Sequence, residues 1–69
     1  MPLTLATRQQ WNIIKKVGGK EEIRHHLETL GFVVGTEVAV VAELHGNIIV
    51  NIKGSRVAIS KEMACKIMV

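Results

Sequence analysis

From Gln10 the chain alternates, with Trp11, Ile13, Lys15 and Val17 on one face and Asn12, Ile14 and Lys16 on the other. That period of two predicts a first β-strand over Gln10–Val17, exposed at one edge of a sheet. Gly18-Gly19 breaks it, and the period then changes. Ile23, Leu27 and Leu30 recur at i, i+4 and i+7, the apolar stripe of a single amphipathic helix. Glu21 and Glu22 fall in its first turn, where the helix macrodipole favours negative charge. Gly31 is placed to end the helix in a left-handed conformation, and Phe32 to fold back onto the stripe.

Beyond a Gly35-Thr36 turn the alternation resumes. Val38, Val40, Ala42 and Leu44 oppose Glu37, Ala39, Val41 and Glu43. After His45-Gly46-Asn47, Ile48, Val50 and Ile52 oppose Asn47, Asn51 and Lys53. Two such runs around a glycine-containing loop predict a β-hairpin. Gly54-Ser55 turns the chain into a short third partner, Arg56–Ile59; Ser60–Ala64 reads as one helical turn capped by Ser60, and Lys66–Val69 as a last strand. Five short strands with tight turns predict a small, partly open barrel, because curling so small a sheet on itself removes most of its edges. The N-terminal arm to about Arg8 is expected to be loosely held.

Composition narrows the class. Sixty-nine residues make a single domain, 1–69, that buries only about 60% of the surface its unfolded chain exposes. Trp11 and Phe32 are the only aromatic residues, so the core must be aliphatic, and its β-branched residues suit a pleated sheet. The one cysteine, Cys65, excludes an intrachain disulfide and fits a reducing compartment. No stretch approaches the roughly 20 apolar residues of a membrane span. Met1-Pro2-Leu3-Thr4 lacks the basic and apolar regions of a signal peptide, so a soluble cytoplasmic protein is expected. The net charge of +3 is mild, and the pI near 9.4 rests on few clustered bases, with Lys15-Lys16 the only adjacent pair. A nucleic-acid face would need more.

Candidate chemistry is sparse. His25-His26 invites a metal, yet adjacent helical side chains point about 100° apart and cannot chelate one ion together. Glu21 with His25 and Glu22 with His26 are the feasible i, i+4 pairings. A metal site needs three or four convergent ligands, so the candidate set is Glu22, His26, His45 and Cys65, on the condition that the fold brings the last two to the helix. The rival reading of Cys65, between Ala64 and Lys66-Ile67, is a small core residue. No phosphate-cradling glycine loop, catalytic triad or paired-carboxylate arrangement is present, and an enzyme is not expected.

The run Gly18-Gly19…Ile23-Arg24…Leu27…Leu30-Gly31-Phe32…Gly35-Thr36-Glu37-Val38 resembles the ferrous iron transport protein A (FeoA) family. So do Ile48-Ile49-Val50, Gly54-Ser55-Arg56-Val57-Ala58-Ile59, Ile67-Met68-Val69 and the opening Met1–Leu5. Val34 stands where members often carry proline. Thr7–Trp11 likewise departs from the Gly and Pro that members tend to have on the approach to the first strand. The resemblance implies a mainly β fold: a five-stranded SH3-like barrel with one α-helix inserted after the first strand. It also implies a non-catalytic accessory role in Fe(II) uptake through contact with FeoB, a membrane transporter that carries a GTP-binding domain.

Trp11, His25, Leu30, Gly31, Val34 and Gly35 are the expected docking residues, since recognition by a small barrel works through loops on a rigid scaffold. A second reading is transition-metal sensing, because a similar barrel ends the iron-dependent bacterial repressors; Fe(II), or Zn(II) as a stand-in, would then bind weakly or transiently at Glu22, His26, His45 and Cys65.

Overall fold

The computed structural model describes residues 1–69. Its elements are β1 (Trp11–Ile13), β2 (Lys16–Val17), α1 (Glu21–Thr29), β3 (Glu37–Leu44), β4 (Asn47–Ile52), β5 (Ser55–Ser60), α2 (Lys61–Ala64) and β6 (Ile67–Met68). An antiparallel sheet runs β1-β3-β4-β5, and a second, two-stranded sheet pairs β2 with β6. The class is as expected, mainly β with one main helix between the opening strands and the hairpins. Both hairpin loops have two residues, His45-Gly46 and Lys53-Gly54, all four at positive φ. That geometry matches the right-handed twist of the flanking strands, and the glycine makes the second position inexpensive.

Fourteen apolar residues form the core, drawn from both sheets, α1, α2 and the N-terminal segment, and no polar side chain is buried among them. Leu27 of α1 and Phe32 after it are wholly buried. The turn between them closes with two backbone bonds, Gly31 N–H to Glu28 O and Phe32 N–H to Leu27 O, both 2.9 Å. These are the paired bonds of a Schellman motif, with glycine at φ +105° and the hydrophobic contact that accompanies the motif.

The structure departs from the sequence reading in three places. The strand expected over Gln10–Val17 is two strands in two sheets. Ile14 N–H still bonds Thr36 O of the β3 side, but Lys15 N–H bonds Met68 O of β6. Changing partners between these residues resets the alternation, so Ile14 and Val17 are both buried while Trp11 and Ile13 face out.

In β3, Val41 is an extra residue. Val40 pairs with Val50 and Ala42 with Ile49, and the bulge sends Leu44 outward, 56% exposed, instead of onto the face of Val38 and Val40.

The N-terminal arm is held, not loose. The Met1 ammonium donates to Val69 O, Val69 N–H donates to Met1 O, Pro2 bridges Met68, and Leu3 is wholly buried. With only β2 as a strand neighbour, β6 leaves one side open, and residues 1–3 fill it.

The bulge also sets Glu43 opposite Ile48, where its carboxylate pairs with the Lys61 ammonium. The hydrogen bond from Lys61, opposed by desolvation and helped by the charges of Lys61 and Arg8, holds the Glu43 carboxyl below its ordinary 4.5. A depressed folded-state pKa stabilises above the unfolded value, and the gain is lost as pH falls through the lower folded value. The expected result is a Glu43 titration midpoint below 4.5, read by NMR of the side-chain carbonyl, that rises toward 4.5 in Lys61→Met. Because the pair is exposed, the effect on global stability should be slight.

Candidate functional site

Two surfaces hold the residues singled out in the sequence. The first is a cleft of about 390 Å³ between α1 and α2, lined by Glu22, Ile23 and His26 from one helix and Ser60, Glu62, Met63 and Lys66 from the other side. Backbone bonds fix its walls. Gly18 N–H donates to Lys66 O at 2.7 Å, tying the start of α1 to the chain after α2. Met63 N–H donates to Ser60 Oγ at 3.2 Å, the N-cap of α2. Gly19, at φ +94°, lies under the Lys66 stem, where a Cβ would come within 2.8 Å of Lys66 Cδ. Ile23 and Met63 give the cleft an apolar part, and two carboxylates, an imidazole and an ammonium surround them.

Of the expected metal set, the fold brings only Glu22 and His26 to this cleft. His45 sits in the β3–β4 loop, and Cys65 follows α2 outside the cleft. No three His, Cys, Asp or Glu side chains converge closely enough to hold a metal ion, so Glu22, His26, His45 and Cys65 do not form one site. The core reading of Cys65 fails as well. Ala64 takes the buried position, and the next residue turns outward, where the Cys65 thiol donates to Glu62 O at 2.9 Å. Glu62, Met63 and Lys66 were absent from the sequence reading of the site. Their helical turn was legible, but nothing in the residue order says that it packs beside Glu22 and His26.

The second surface is apolar and lies on the opening strand. Trp11 and Ile13 are each 54% exposed on the outward face of β1. Val34, 66% exposed, stands in the corner before Gly35, and that corner is tied to the end of β1 by Gly35 N–H donating to Ile14 O at 2.8 Å. Trp11, Val34 and Gly35 therefore belong to one framework. His25 is exposed on the helix, whereas Leu30 and Gly31 are half-buried, Leu30 against the core. Ile13 was missed as a surface residue, because the uninterrupted strand read from the sequence gave it no distinct environment.

The FeoA domain family pattern matches this chain over residues 1–69. A protein of Methanocaldococcus jannaschii bearing the name Fe(2+) transport protein A is 32% identical over 68 residues, which cover 99% of this chain and 83% of the relative. Among solved structures, the crystal structure of an iron uptake regulatory protein (FeoA) superposes with a TM-score of 0.90 at 27% identity, covering 100% of this chain and 93% of its own. FeoA of Stenotrophomonas maltophilia, solved with zinc and described as an SH3-domain protein and a candidate activating factor for ferrous iron transport, gives a TM-score of 0.85 at 25% identity, with 100% and 88% coverage.

Proposed function

Because this chain belongs to the FeoA family, we propose that it is a non-catalytic accessory protein of ferrous iron uptake, which docks on the cytoplasmic part of the FeoB transporter and modulates it. The observation that carries the proposal is the family match over residues 1–69, joined to an exposed apolar surface on a rigid frame. Exposed aromatic and β-branched side chains at one place on a small domain serve recognition better than solvation. No helix is long and apolar enough to cross a membrane, which suits a protein that acts from the membrane's cytoplasmic side. Trp11, His25, Leu30, Gly31, Val34 and Gly35 form the proposed docking set, with Trp11 and Val34 as side-chain anchors and Gly31 and Gly35 as the residues that shape the corner.

Trp11→Ala is expected to weaken docking by about tenfold or more, since a buried interface tryptophan is a frequent hot spot. Calorimetric titration with the transporter's cytoplasmic domain, repeated with the whole transporter in detergent, reads the effect. Absence of binding to both would refute the proposal; binding unchanged by Trp11→Ala would move the surface elsewhere.

A second reading is favoured by one observation, that Glu22 and His26, one helical turn apart, line the same cleft. Fe(II), or Zn(II) in its place, would bind there weakly, held by fewer protein ligands than a structural site supplies. Equilibrium dialysis against Fe(II) under reducing conditions should show uptake that His26→Ala reduces several-fold. Uptake unaffected by replacing Glu22 and His26 together would reject the site.

A further inference from the structure

Met63 brings to the α1–α2 cleft a donor of a different kind from Glu22 and His26. Its thioether sulfur is soft and polarisable, whereas a carboxylate is hard and an imidazole lies between the two. The start of α2 decides where that side chain goes. Ser60 Oγ accepts from Met63 N–H at 3.2 Å, which fixes the backbone of residue 63. The side chain is half-buried against the core and also lines the cleft. His26 is exposed on α1, so its imidazole reaches the same space without leaving a packed position. A continuous backbone link joins the two walls, with Gly18 N–H donating to Lys66 O at 2.7 Å and Lys66 N–H to Met63 O at 3.1 Å. The fold therefore sets where Met63 stands relative to α1.

Ligand number and ligand softness point the same way. No trio of His, Cys, Asp or Glu converges here, so Zn(II) or Fe(II) falls short of the ligands it ordinarily gathers. Thioethers stand outside that set. Cu(I) is satisfied by fewer ligands, and it favours thioether and imidazole, the two that share this cleft. The surrounding charge suits a cation. Glu22 and Glu62 outnumber the Lys66 ammonium, and neither carboxylate is in an ion pair, since the salt bridge of this protein joins Glu43 to Lys61. Cys65 is the stronger Cu(I) ligand by type, but it lies outside the cleft, where its thiol donates to Glu62 O.

We propose that His26 and Met63 form a Cu(I) site in the α1–α2 cleft, with Glu22 and Glu62 as flanking charges. The site discriminates by softness: Met63 adds to the affinity for Cu(I) and adds nothing for Fe(II) or Zn(II). The inference shares His26 with the Fe(II) reading but does not rest on it. Each metal calls on a different partner for the imidazole, Glu22 for the harder ions and Met63 for the softer one.

The test is anaerobic competition for Cu(I) between the full chain and a chromophoric chelator, in a Cys65→Ser background that removes the exposed thiol. Stoichiometric uptake is expected. Met63→Leu conserves volume and so keeps the fold. It should weaken Cu(I) binding by about tenfold or more, as loss of even an outer-shell partner commonly does, and leave Zn(II) uptake unchanged. His26→Ala should weaken both metals, and His25→Ala, outside the cleft, neither. Copper X-ray absorption should show a sulfur neighbour that disappears in Met63→Leu. Three results would overturn the proposal. They are no Cu(I) uptake by the Cys65→Ser chain, uptake indifferent to Met63→Leu, which would mark an adventitious ion only, or parallel loss of Cu(I) and Zn(II) in Met63→Leu, the sign of a disturbed cleft. Fe(II) uptake that depends on Glu22 and His26 can survive the first two, so the two readings fail separately.

Discussion

Replacing Phe32 with alanine is expected to cost about 3–5 kcal/mol and to leave the domain largely unfolded at physiological temperature. Phe32 is the largest wholly buried side chain and the only aromatic one in the core, since Trp11 lies outside. It belongs to one core with aliphatic residues drawn from both sheets and from α1, so truncation opens a cavity inside that core. A chain of 69 residues has roughly 3–10 kcal/mol of total stability to set against that loss. Urea denaturation followed by far-UV circular dichroism measures it. A loss below about 1 kcal/mol would mean that the core collapses around the gap and that Phe32 is not its centre.

Gly31→Ala is the second large effect, and it acts through the backbone alone. At φ +105° the residue lies outside the region that side-chain-bearing residues adopt with ease. An added Cβ would meet only Lys53 Cδ at 3.7 Å and Ile52 Cδ1 at 3.9 Å, ordinary contacts. With no steric clash to add, the expected loss is about 1–3 kcal/mol of conformational strain. Gly46→Ala, at φ +78° in a hairpin loop with open space around it, should cost less and serves as the control. Thermal unfolding of the two variants gives the comparison, and equal losses would remove the special role of position 31. Because Gly31 also sets where Phe32 leaves the helix, the losses from Gly31→Ala and Phe32→Ala should not add; a double-mutant cycle reads that coupling.

Both predictions rest on a segment that was plain in the sequence. The stripe Ile23, Leu27, Leu30, the acidic first turn and the Gly31-Phe32 stop are all local features, and local features are legible because a helix repeats every few residues. The hairpin strands were legible for the same reason: Ile48, Val50 and Ile52 alternate without interruption and are buried as the alternation requires. The candidate site was read less well. Glu22 and His26 were found because they lie one turn apart on one helix, and Trp11 because a lone tryptophan on a polar strand invites attention. Glu62, Met63, Lys66 and Ile13 were not found, since each acquires its role from a neighbour distant in sequence or from a change of strand partner.

The residue order by itself determined the class of fold, the helix and its two glycine boundaries, the hairpins and an aliphatic core, because each follows from periodicity and turn chemistry within a dozen residues. The tertiary structure alone decided the rest. It divided the first strand at Ile14-Lys15, where the chain exchanges β3 for β6 as its partner, and it inserted Val41 as a bulge that turned Leu44 outward. It held Met1–Leu3 against β6, set Glu62 and not His45 or Cys65 in the cleft with Glu22 and His26, and left the Trp11–Ile13 edge without a partner strand. These outcomes depend on which backbone groups meet across the fold. Hydrogen-bond partners far apart in sequence leave no periodic trace, and a shift of one residue in their pairing reverses which side chains face the core.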